Sequence, residues 1–364
     1  MNRQEIKNLL KEYMAIPRVS GYEEKMALRF YEDMSKYTKD VLKDRFGNVI
    51  ATFKGYDEKT PSIMVFAHMD TIGFFISNIS EDGFIYFDRI GGIPPKVLPA
   101  LGVRVGNEKG EYYPGVIGNK SYHVLADNPN KVDEITSLYI DIGAKSRKEV
   151  EDLDIHVGCP IVYDVFYKEL LNDRITGSYL DDASGLTTLN QLAEVLSKKK
   201  HKATVYLVGT VMEEYNARGA MLANRNAHVD LAICLLGAGA GDTPDLKGHN
   251  LVRLGEGTSV NMFNFHGKGT LNGNIIPKNM LEHLKKASDK TNVNIQRQAA
   301  RGALSDSAYL QLEEKGVLCM DMGTPDRYSH SPSEMIDLND LDKTFEILRE
   351  FIYSLNENFK CERF

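Results

Sequence analysis

The sequence predicts an α/β sandwich that is interrupted by a small inserted domain rich in β-strands. Apolar, strand-like runs alternate with amphipathic helical segments in residues 1–73 and again over about 165–364, which is typical of packed α/β layers. From residue 74 to 164 the chain instead shows short alternating strands with frequent glycine and proline, and helical periodicity is almost absent until near Lys148. A chain of 364 residues is long enough for one large and one smaller domain.

The N-terminal segment predicts two helices and a pair of strands. The apolar residues of the first helix repeat with the spacing of one buried stripe; they are Ile6, Leu9, Leu10, Tyr13 and Met14. Pro17 ends this helix. The run Ser20-Gly21-Tyr22-Glu23 has the form of a capping box and predicts a second helix through about Met34. Residues 40–53 predict two strands around the turn at 46–48.

Two later apolar runs each end on polar side chains. Residues 62–67 predict a buried strand that delivers His68 and Asp70 at its end, and residues 203–210 predict another strand before Glu213-Glu214. In open α/β sheets, ligands gather outside the carboxyl ends of the strands. Unpaired carboxylates are costly in such a semi-buried place, so a metal or a reaction would explain the doublet. The alternative without function is that Glu213 and Glu214 are solvated loop residues and that His68 is a core histidine whose hydrogen bonds are satisfied.

Two further segments place polar residues at turns. Asp181 and Asp182 precede a helix with a buried apolar stripe, formed by Leu186, Leu189, Ala193 and Leu196. Either aspartate could be an N-cap, but a carboxylate at this turn can also bridge two cations because it has two oxygens. His330 lies in a polar turn shortly before Pro332, so packing alone does not explain it. The alternative without function is that His330 is a histidine of a surface loop.

Composition excludes several classes of function. The net charge of −7 and the lack of a basic stripe argue against a nucleic-acid-binding surface. The one basic run, residues 198–202, fits a solvated helix end. No apolar stretch approaches the roughly 20 residues of a membrane span, and no signal region opens the chain. The four cysteines have no metal or disulfide spacing, which suits a reducing cytoplasm; they are Cys159, Cys234, Cys319 and Cys361.

Together these motifs supply two histidines, a bridging aspartate and two glutamates, the donor set of a co-catalytic hydrolase site for zinc or cobalt. At this point the chain resembles the cytosolic dinuclear metalloaminopeptidases of the glutamyl-aminopeptidase and tetrahedral-aminopeptidase type. The resemblance runs almost end to end. It rests on separated motifs in the correct order, namely Val19-Ser20-Gly21-Tyr22-Glu23, Ala67-His68-Met69-Asp70-Thr71-Ile72-Gly73, Pro114-Gly115-Val116-Ile117-Gly118, Leu180-Asp181-Asp182, Glu213-Glu214 with Arg218-Gly219-Ala220, and Tyr328-Ser329-His330-Ser331-Pro332.

The resemblance implies a mixed-sheet zinc-peptidase sandwich, residues 1–73 and 165–364, with residues 74–164 as a β-barrel-like oligomerisation or lid domain. It also implies roles for individual residues. Asp181 would bridge two metals, with His68 on the first metal and both Glu214 and His330 on the second.

Two residues would act beside these ligands. Glu213 would be the general base that takes a proton from the metal-bound water, and Asp70 would orient His68. A cation pair that lowers the pKa of water and a glutamate that relays the proton to the leaving amine agree with these residue types. A glycosidase mechanism fits the doublet poorly, because that mechanism needs two carboxylates that face each other across a sugar.

One ligand of the family pattern is missing. Aligned through Gly241-Asp242-Thr243-Pro244, the position of a metal-binding aspartate falls on Leu236, which cannot bind a metal. The first metal would keep only His68, Asp181 and water, fewer than the three protein ligands usual at a catalytic zinc. Three alternatives stay open: one tight metal at the second site, a replacement carboxylate such as Asp242, or loss of activity with retention of the fold.

A second departure lies at residues 303–308. The family usually carries a Gly-Gly-Thr-Asp-like loop near the substrate; here Asp306 is retained and the glycines are not. The resemblance therefore implies a reshaped substrate pocket, while an N-cap is an equally good interpretation of Asp306.

The sequence thus predicts a cytoplasmic aminopeptidase that removes N-terminal residues from peptides with one or two divalent metals per chain, zinc or cobalt. The resemblance implies a homo-oligomer, often a dodecamer, without nucleic-acid or membrane partners. The alternatives are a catalytically impaired scaffold or binding protein, favoured by Leu236, and a related carboxypeptidase or deacylase on the same core.

Overall fold

The structure, a computed structural model, describes residues 1–121, 123, 132–267 and 273–363. Within these ranges the helices are α1 (Arg3–Ala15), α2 (Glu24–Ser35), α3 (Arg147–Glu151), α4 (Leu180–Lys198), α5 (Gly219–Ala227), α6 (Lys278–Thr291), α7 (Ser307–Leu310) and α8 (Leu338–Ser354). None of the helices in the described ranges is long and apolar enough to cross a membrane.

The strands form a large mixed sheet, a closed barrel and a small sheet. Those of the large sheet are β1 (Val41–Lys43), β2 (Val49–Phe53), β3 (Ile63–His68), β12 (Val205–Thr210), β13 (Leu231–Leu235), β14 (Thr258–Phe265), β15 (Gly273–Ile275), β16 (Ile295–Arg301) and β17 (Leu318–Gly323). Those of the barrel are β4 (Gly73–Ile79), β5 (Ile85–Ile90), β6 (Gly102–Gly106), β7 (Tyr112–Ile117), β8 (Tyr139–Asp141) and β9 (Pro160–Tyr163). The small sheet contains β10 (Tyr167–Glu169), β11 (Arg174–Gly177), β18 (Asp326–Arg327) and β19 (Glu334–Asp337).

The large sheet has the order β1-β2-β12-β3-β13-β17-β14-β15, with β16 paired to β14. Its central strands β12, β3, β13 and β17 run parallel, and the register places Thr210 beside His68. The carboxyl ends of these strands therefore meet at one edge of the sheet. The predicted mixed α/β fold is confirmed.

Helix α4 is the central helix of one face. Its apolar stripe packs into the same core as β3, α1 and α8, and polar residues such as Asn190 are buried with it. The hydroxyl of Tyr13 on α1 accepts from Asn190 at 2.6 Å and donates to Asp33 at 2.7 Å, so this polar contact is satisfied inside the core. The middle of α4 is thereby tied to α1.

The barrel closes in the order β4-β5-β8-β7-β6-β9 and has its own apolar core. Phe74 lies at its centre, with edge-to-face ring contacts to Phe87 and Tyr163 at centroid distances of 5.0 and 5.8 Å. The loop that follows β5 contains Gly91 and Gly92 and reaches the end of the large sheet.

The capping box predicted at the start of α2 is wrong. The helix begins at Glu24, and within the described chain Glu23 makes no side-chain cap. The hydroxyl of Ser20 instead donates to Asp70 at 2.6 Å, and the Glu23 carboxylate accepts from the Met212 N–H at 3.1 Å. Both residues bind segments at the sheet edge because the start of α2 packs there.

Candidate functional site

A cavity of about 510 Å³ opens at the carboxyl ends of the central strands. Most of the residues singled out in the sequence border it. Its lining includes Gly91, Gly92, Asp181, Glu213, Glu214, Leu236, Gly237, Ala303, Leu304, Asp326 and His330. A pocket of this size is ordinary for a small-molecule or peptide-end ligand.

Asp70 is fully buried and holds the acidic doublet through its backbone. Its carboxylate accepts the N–H of Glu213 at 3.0 Å and that of Glu214 at 2.9 Å, in addition to the Ser20 hydroxyl. Burial alone would raise the pKa of Asp70, but hydrogen bonds and the charge of His68 keep it below its ordinary value. The contact with His68 differs from the expected one: Nδ1 lies 3.1 Å from the Asp70 carbonyl oxygen and 3.6 Å from its carboxylate.

Asp181 lies between the two histidines. Its Oδ1 is 2.8 Å from Nε2 of His68, and its Oδ2 is 3.6 Å from Nε2 of His330. Burial opposes ionisation, yet hydrogen bonds with His330 and His68 lower the pKa of Asp181 below its ordinary value. The N-cap role falls on the next residue, because Asp182 Oδ1 accepts the Gly185 N–H at 2.7 Å.

Glu334 fixes the relative position of Asp181 and His330, although no sequence pattern predicts a role for it. Its carboxylate accepts the backbone N–H of Asp181 and of His330, each at 3.0 Å. It is 1% exposed, and burial together with the charge of Asp181 raises its pKa well above the usual range. Its only sequence signal is an acidic residue four positions after His330.

The doublet presents both side chains to the cavity. Burial, and to a lesser extent the neighbouring carboxylates, raises the pKa of Glu213 well above its ordinary value. Burial raises the pKa of Glu214 to about 7, and its Oε1 lies 3.6 Å from Nε2 of His330. The charge of Glu214 raises the pKa of His330 to about 11. Such mutual shifts are typical of a functional cluster.

The barrel contributes directly to the site. The Nδ1–H of His330 donates to the carbonyl oxygen of Gly92 at 2.8 Å, which leaves Nε2 facing the cavity. Gly91 packs so closely that a β-carbon there would lie 2.9 Å from Oε2 of Glu214 and 2.5 Å from Ile72. The β5–β6 loop therefore orients one histidine and limits the space of one glutamate.

Two groups of donors in the described residues are close enough to hold a metal ion. One comprises Asp181, Glu214 and His330, and the other comprises His68, Glu213 and Glu214; within each group the ligand atoms lie within 4.8 Å of one another. Imidazole and carboxylate donors suit zinc and similar divalent ions. Three donors facing an open cavity leave room for a water or substrate.

The other residues considered in the sequence do not join these groups. Leu236 borders the cavity at the end of β13. Asp242 is bound by the guanidinium of Arg327 through contacts of 2.7 and 2.6 Å and accepts the N–H of Leu254.

Asp306 is buried before α7 without a capping hydrogen bond in the described chain, and burial raises its pKa to about 7. Asp326, which no sequence pattern singles out, also borders the cavity, and burial together with the charge of Asp181 raises its pKa to about 6.

A mixed α/β sandwich with an inserted barrel and a histidine–carboxylate cluster at the carboxyl ends of its strands defines a hydrolase of the metallopeptidase type. The sequence profile of the M42 glutamyl aminopeptidase family matches residues 47–347. The chain belongs to this family.

Similarity to individual proteins supports this assignment. The Pyrococcus furiosus lysyl aminopeptidase is 32% identical over 95% of this chain and 96% of its own length. The aminopeptidase APDkam598 of Desulfurococcus kamchatkensis has a TM-score of 0.91 at 32% identity, covering 98% of this chain and 97% of its own. The Pyrococcus horikoshii TET1 peptidase, which assembles into a tetrahedron or a large octahedral shell, has a TM-score of 0.84 at 26% identity, covering 96% of this chain and 100% of its own. The match thus extends over both the sandwich and the barrel.

Proposed function

We propose that this protein is a metal-dependent aminopeptidase in which Glu213 is the general base. The observation that carries the proposal is the group formed by Asp181, Glu214 and His330, which faces an open cavity that Glu213 also borders. These residues would hold a divalent cation, zinc or cobalt. Such a cation, when bound, would polarise the scissile carbonyl and make water a stronger nucleophile.

The side chains of this protein account for the proton transfers. Glu213 takes the proton of the attacking water and returns it to the leaving amine, which requires a carboxylate that can be both base and acid near neutral pH. Burial raises the pKa of Glu213 above its ordinary value and so towards neutral pH. Asp70 fixes the backbone of the doublet, and Glu334 fixes Asp181 and His330. The reacting groups are therefore held by hydrogen bonds before substrate arrives.

The proposal extends to organisation and location. Residues 1–73 and 165–364 form the catalytic domain, and residues 74–164 form a barrel domain that contributes subunit contacts or a lid. A similar protein, the Pyrococcus horikoshii TET1 peptidase, assembles into a tetrahedron or an octahedral shell. This chain is accordingly proposed to form a large homo-oligomer, such as a dodecamer, that acts on peptides in the cytoplasm.

The test is an assay of the purified protein after metal removal by a chelator. Free-amine aminoacyl substrates and the same substrates with blocked N-termini are compared with no metal, zinc, cobalt or manganese. Hydrolysis of free-amine substrates that depends on added metal supports the proposal. Cleavage of blocked substrates instead would indicate a carboxypeptidase or deacylase, and no hydrolysis with any ion would leave a scaffold or binding protein.

Gly91→Ala is expected to weaken zinc binding by about 10–100-fold, the usual effect of disturbing a group that supports a metal ligand. The added methyl would press on Glu214 Oε2 and Ile72, and Gly91 has a φ of +79°. Isothermal titration with zinc measures the affinity. Gly143→Ala is the matched control, because Gly143 has a φ of +83° but no atom within 4 Å of a built β-carbon. Equal zinc affinity in the two variants would contradict the proposed contact with Glu214.

A further inference from the structure

Leu236 directly follows β13, at the position where the family pattern places a metal-binding carboxylate, and it borders the cavity with Asp181 and Glu213. An isobutyl side chain has no donor atom for a cation. A first metal beside His68 would thus need another protein ligand to reach the usual three.

Three carboxylates near this position have other partners. Asp242 forms its paired contact with Arg327, and Asp182 caps α4 through the Gly185 N–H. Asp70 receives three hydrogen bonds, from Ser20 and from both amides of the doublet. Across the described residues, neither these three carboxylates nor Asp306 and Asp326 belong to either of the two donor groups close enough for a metal.

The ring of His68 has a close contact on each side. Nδ1 lies 3.1 Å from the carbonyl oxygen of Asp70, and Nε2 lies 2.8 Å from a carboxylate oxygen of Asp181. His68 therefore links Asp181 to the backbone at the end of β3.

The two histidines meet Asp181 at different separations. Nε2 of His68 is 2.8 Å from Asp181, whereas two ligands of one tetrahedral zinc, each about 2.0–2.1 Å from the ion, lie about 3.3 Å apart. Nε2 of His330 is 3.6 Å from both Asp181 and Glu214. The spacing around His330 therefore fits a shared ion more closely than the spacing around His68.

We propose that this chain holds one catalytic cation, at Asp181, Glu214 and His330, and that His68 is a positioning residue whose ring contacts Asp70 and Asp181. Asp181 then joins the cation and His68 rather than two metals. This inference rests on the proposed function and specifies its metal stoichiometry.

The second donor group, His68 with Glu213 and Glu214, is the competing arrangement. A cation held there would use Glu213 as a ligand, and the base of the proposed reaction would be lost. It would also share Glu214 with the other group. The one-cation arrangement keeps Glu213 available for proton transfer.

The test is the number of metal ions per chain in the assembled protein, measured by elemental analysis after dialysis against zinc or cobalt and by titration of the apoprotein. The wild-type protein is expected to bind one ion tightly. Leu236→Asp is expected to bind two, because the new carboxylate would complete a site with His68 and Asp181. Leu236→Asn is the control of matched size and is expected to remain at one ion.

Two tightly bound ions in the wild-type protein would overturn this inference and leave the metal-dependent aminopeptidase standing. No bound ion together with no hydrolysis would overturn both. One ion in wild type with one ion in Leu236→Asp would show that Leu236 does not occupy a ligand position, which also contradicts the inference.

The role of His68 has its own readout. In the zinc-loaded protein, ¹⁵N spectra of labelled histidine are expected to show no metal-ligated ring nitrogen for His68, whose signals are identified by their loss in His68→Gln. His68→Gln is expected to keep one zinc per chain, because the glutamine amide can still donate to Asp181. A metal-ligated Nε2 in the spectrum, or loss of the zinc in His68→Gln, would show that His68 is a ligand.

Discussion

Glu213→Gln is expected to lower kcat for a free-amine peptide substrate by about 10²–10⁴-fold, the usual contribution of a general acid–base side chain. Glutamine has nearly the shape of glutamate but no carboxylate to take up a proton. Burial raises the pKa of Glu213 well above its usual range, so the basic form, and with it kcat/KM, is lost as the pH falls. The variant should lose this acid limb as well. Steady-state kinetics of the metal-loaded proteins across pH measure both effects.

Metal content separates the loss of a base from the loss of a ligand. Glu213 lies outside the Asp181, Glu214 and His330 group, so Glu213→Gln should retain its tightly bound zinc. Glu214→Gln, a change of the same size at the next residue, should lose zinc and activity together. A Glu213→Gln protein with the wild-type rate would contradict the base role, and one without zinc would assign Glu213 as a ligand.

The parts of the site that the sequence predicts are those encoded by local pattern. His68 and the doublet follow continuous apolar runs, and these runs become the adjacent parallel strands β3 and β12. Because parallel strands in an α/β sheet end at one edge, two separate runs could be placed together without a structure. The same reasoning places Asp181 at the start of a helix, since the apolar stripe of α4 has a clear helical period.

Local sequence patterns do not predict the partner of a side chain that binds a distant segment of the chain. Ser20 and Glu23 have the spacing of a capping box, yet they bind Asp70 and Met212, which are 50 and 189 positions away in the chain. A hydroxyl and a carboxylate at this spacing can either cap a helix or bind a distant segment. The packing of α2 against the sheet edge decides which of the two occurs, and the sequence of α2 alone does not predict that packing.

The supports of His330 were also beyond sequence reasoning. Its ring is oriented by the carbonyl oxygen of Gly92, 238 positions away in the barrel, and a backbone acceptor carries no side-chain signature. Glu334 is only four positions from His330, but its second bond, to the Asp181 amide, spans 153 positions. The barrel therefore takes part in ordering the site in addition to any role in assembly.

Asp70→Asn is expected to lower kcat by about 10²-fold, the usual cost of a misplacement near 1 Å at a reacting group. Both Asp70 oxygens accept from the doublet, Oδ1 from Glu213 and Oδ2 from Glu214. An asparagine side chain presents one oxygen and one NH₂ group, so in either orientation one amide of the doublet faces a donor. Leaving that buried N–H unpaired should also cost about 1–3 kcal/mol of unfolding free energy. Kinetics and urea unfolding measure the two effects.

Ser20→Ala is the control, because it removes the third donor to Asp70 and leaves both bonds to the doublet intact. If Asp70 acts by holding the doublet, kcat should fall far less in Ser20→Ala than in Asp70→Asn. The closest His68 contact is to the backbone carbonyl of Asp70, which neither change removes, but Asp70→Asn also removes the carboxylate charge 3.6 Å from Nδ1 of His68. A normal kcat in Asp70→Asn would contradict the positioning of Glu213 and Glu214 by this carboxylate, whereas a loss confined to Asp70→Asn would assign the effect to the contacts of this carboxylate other than the one with Ser20.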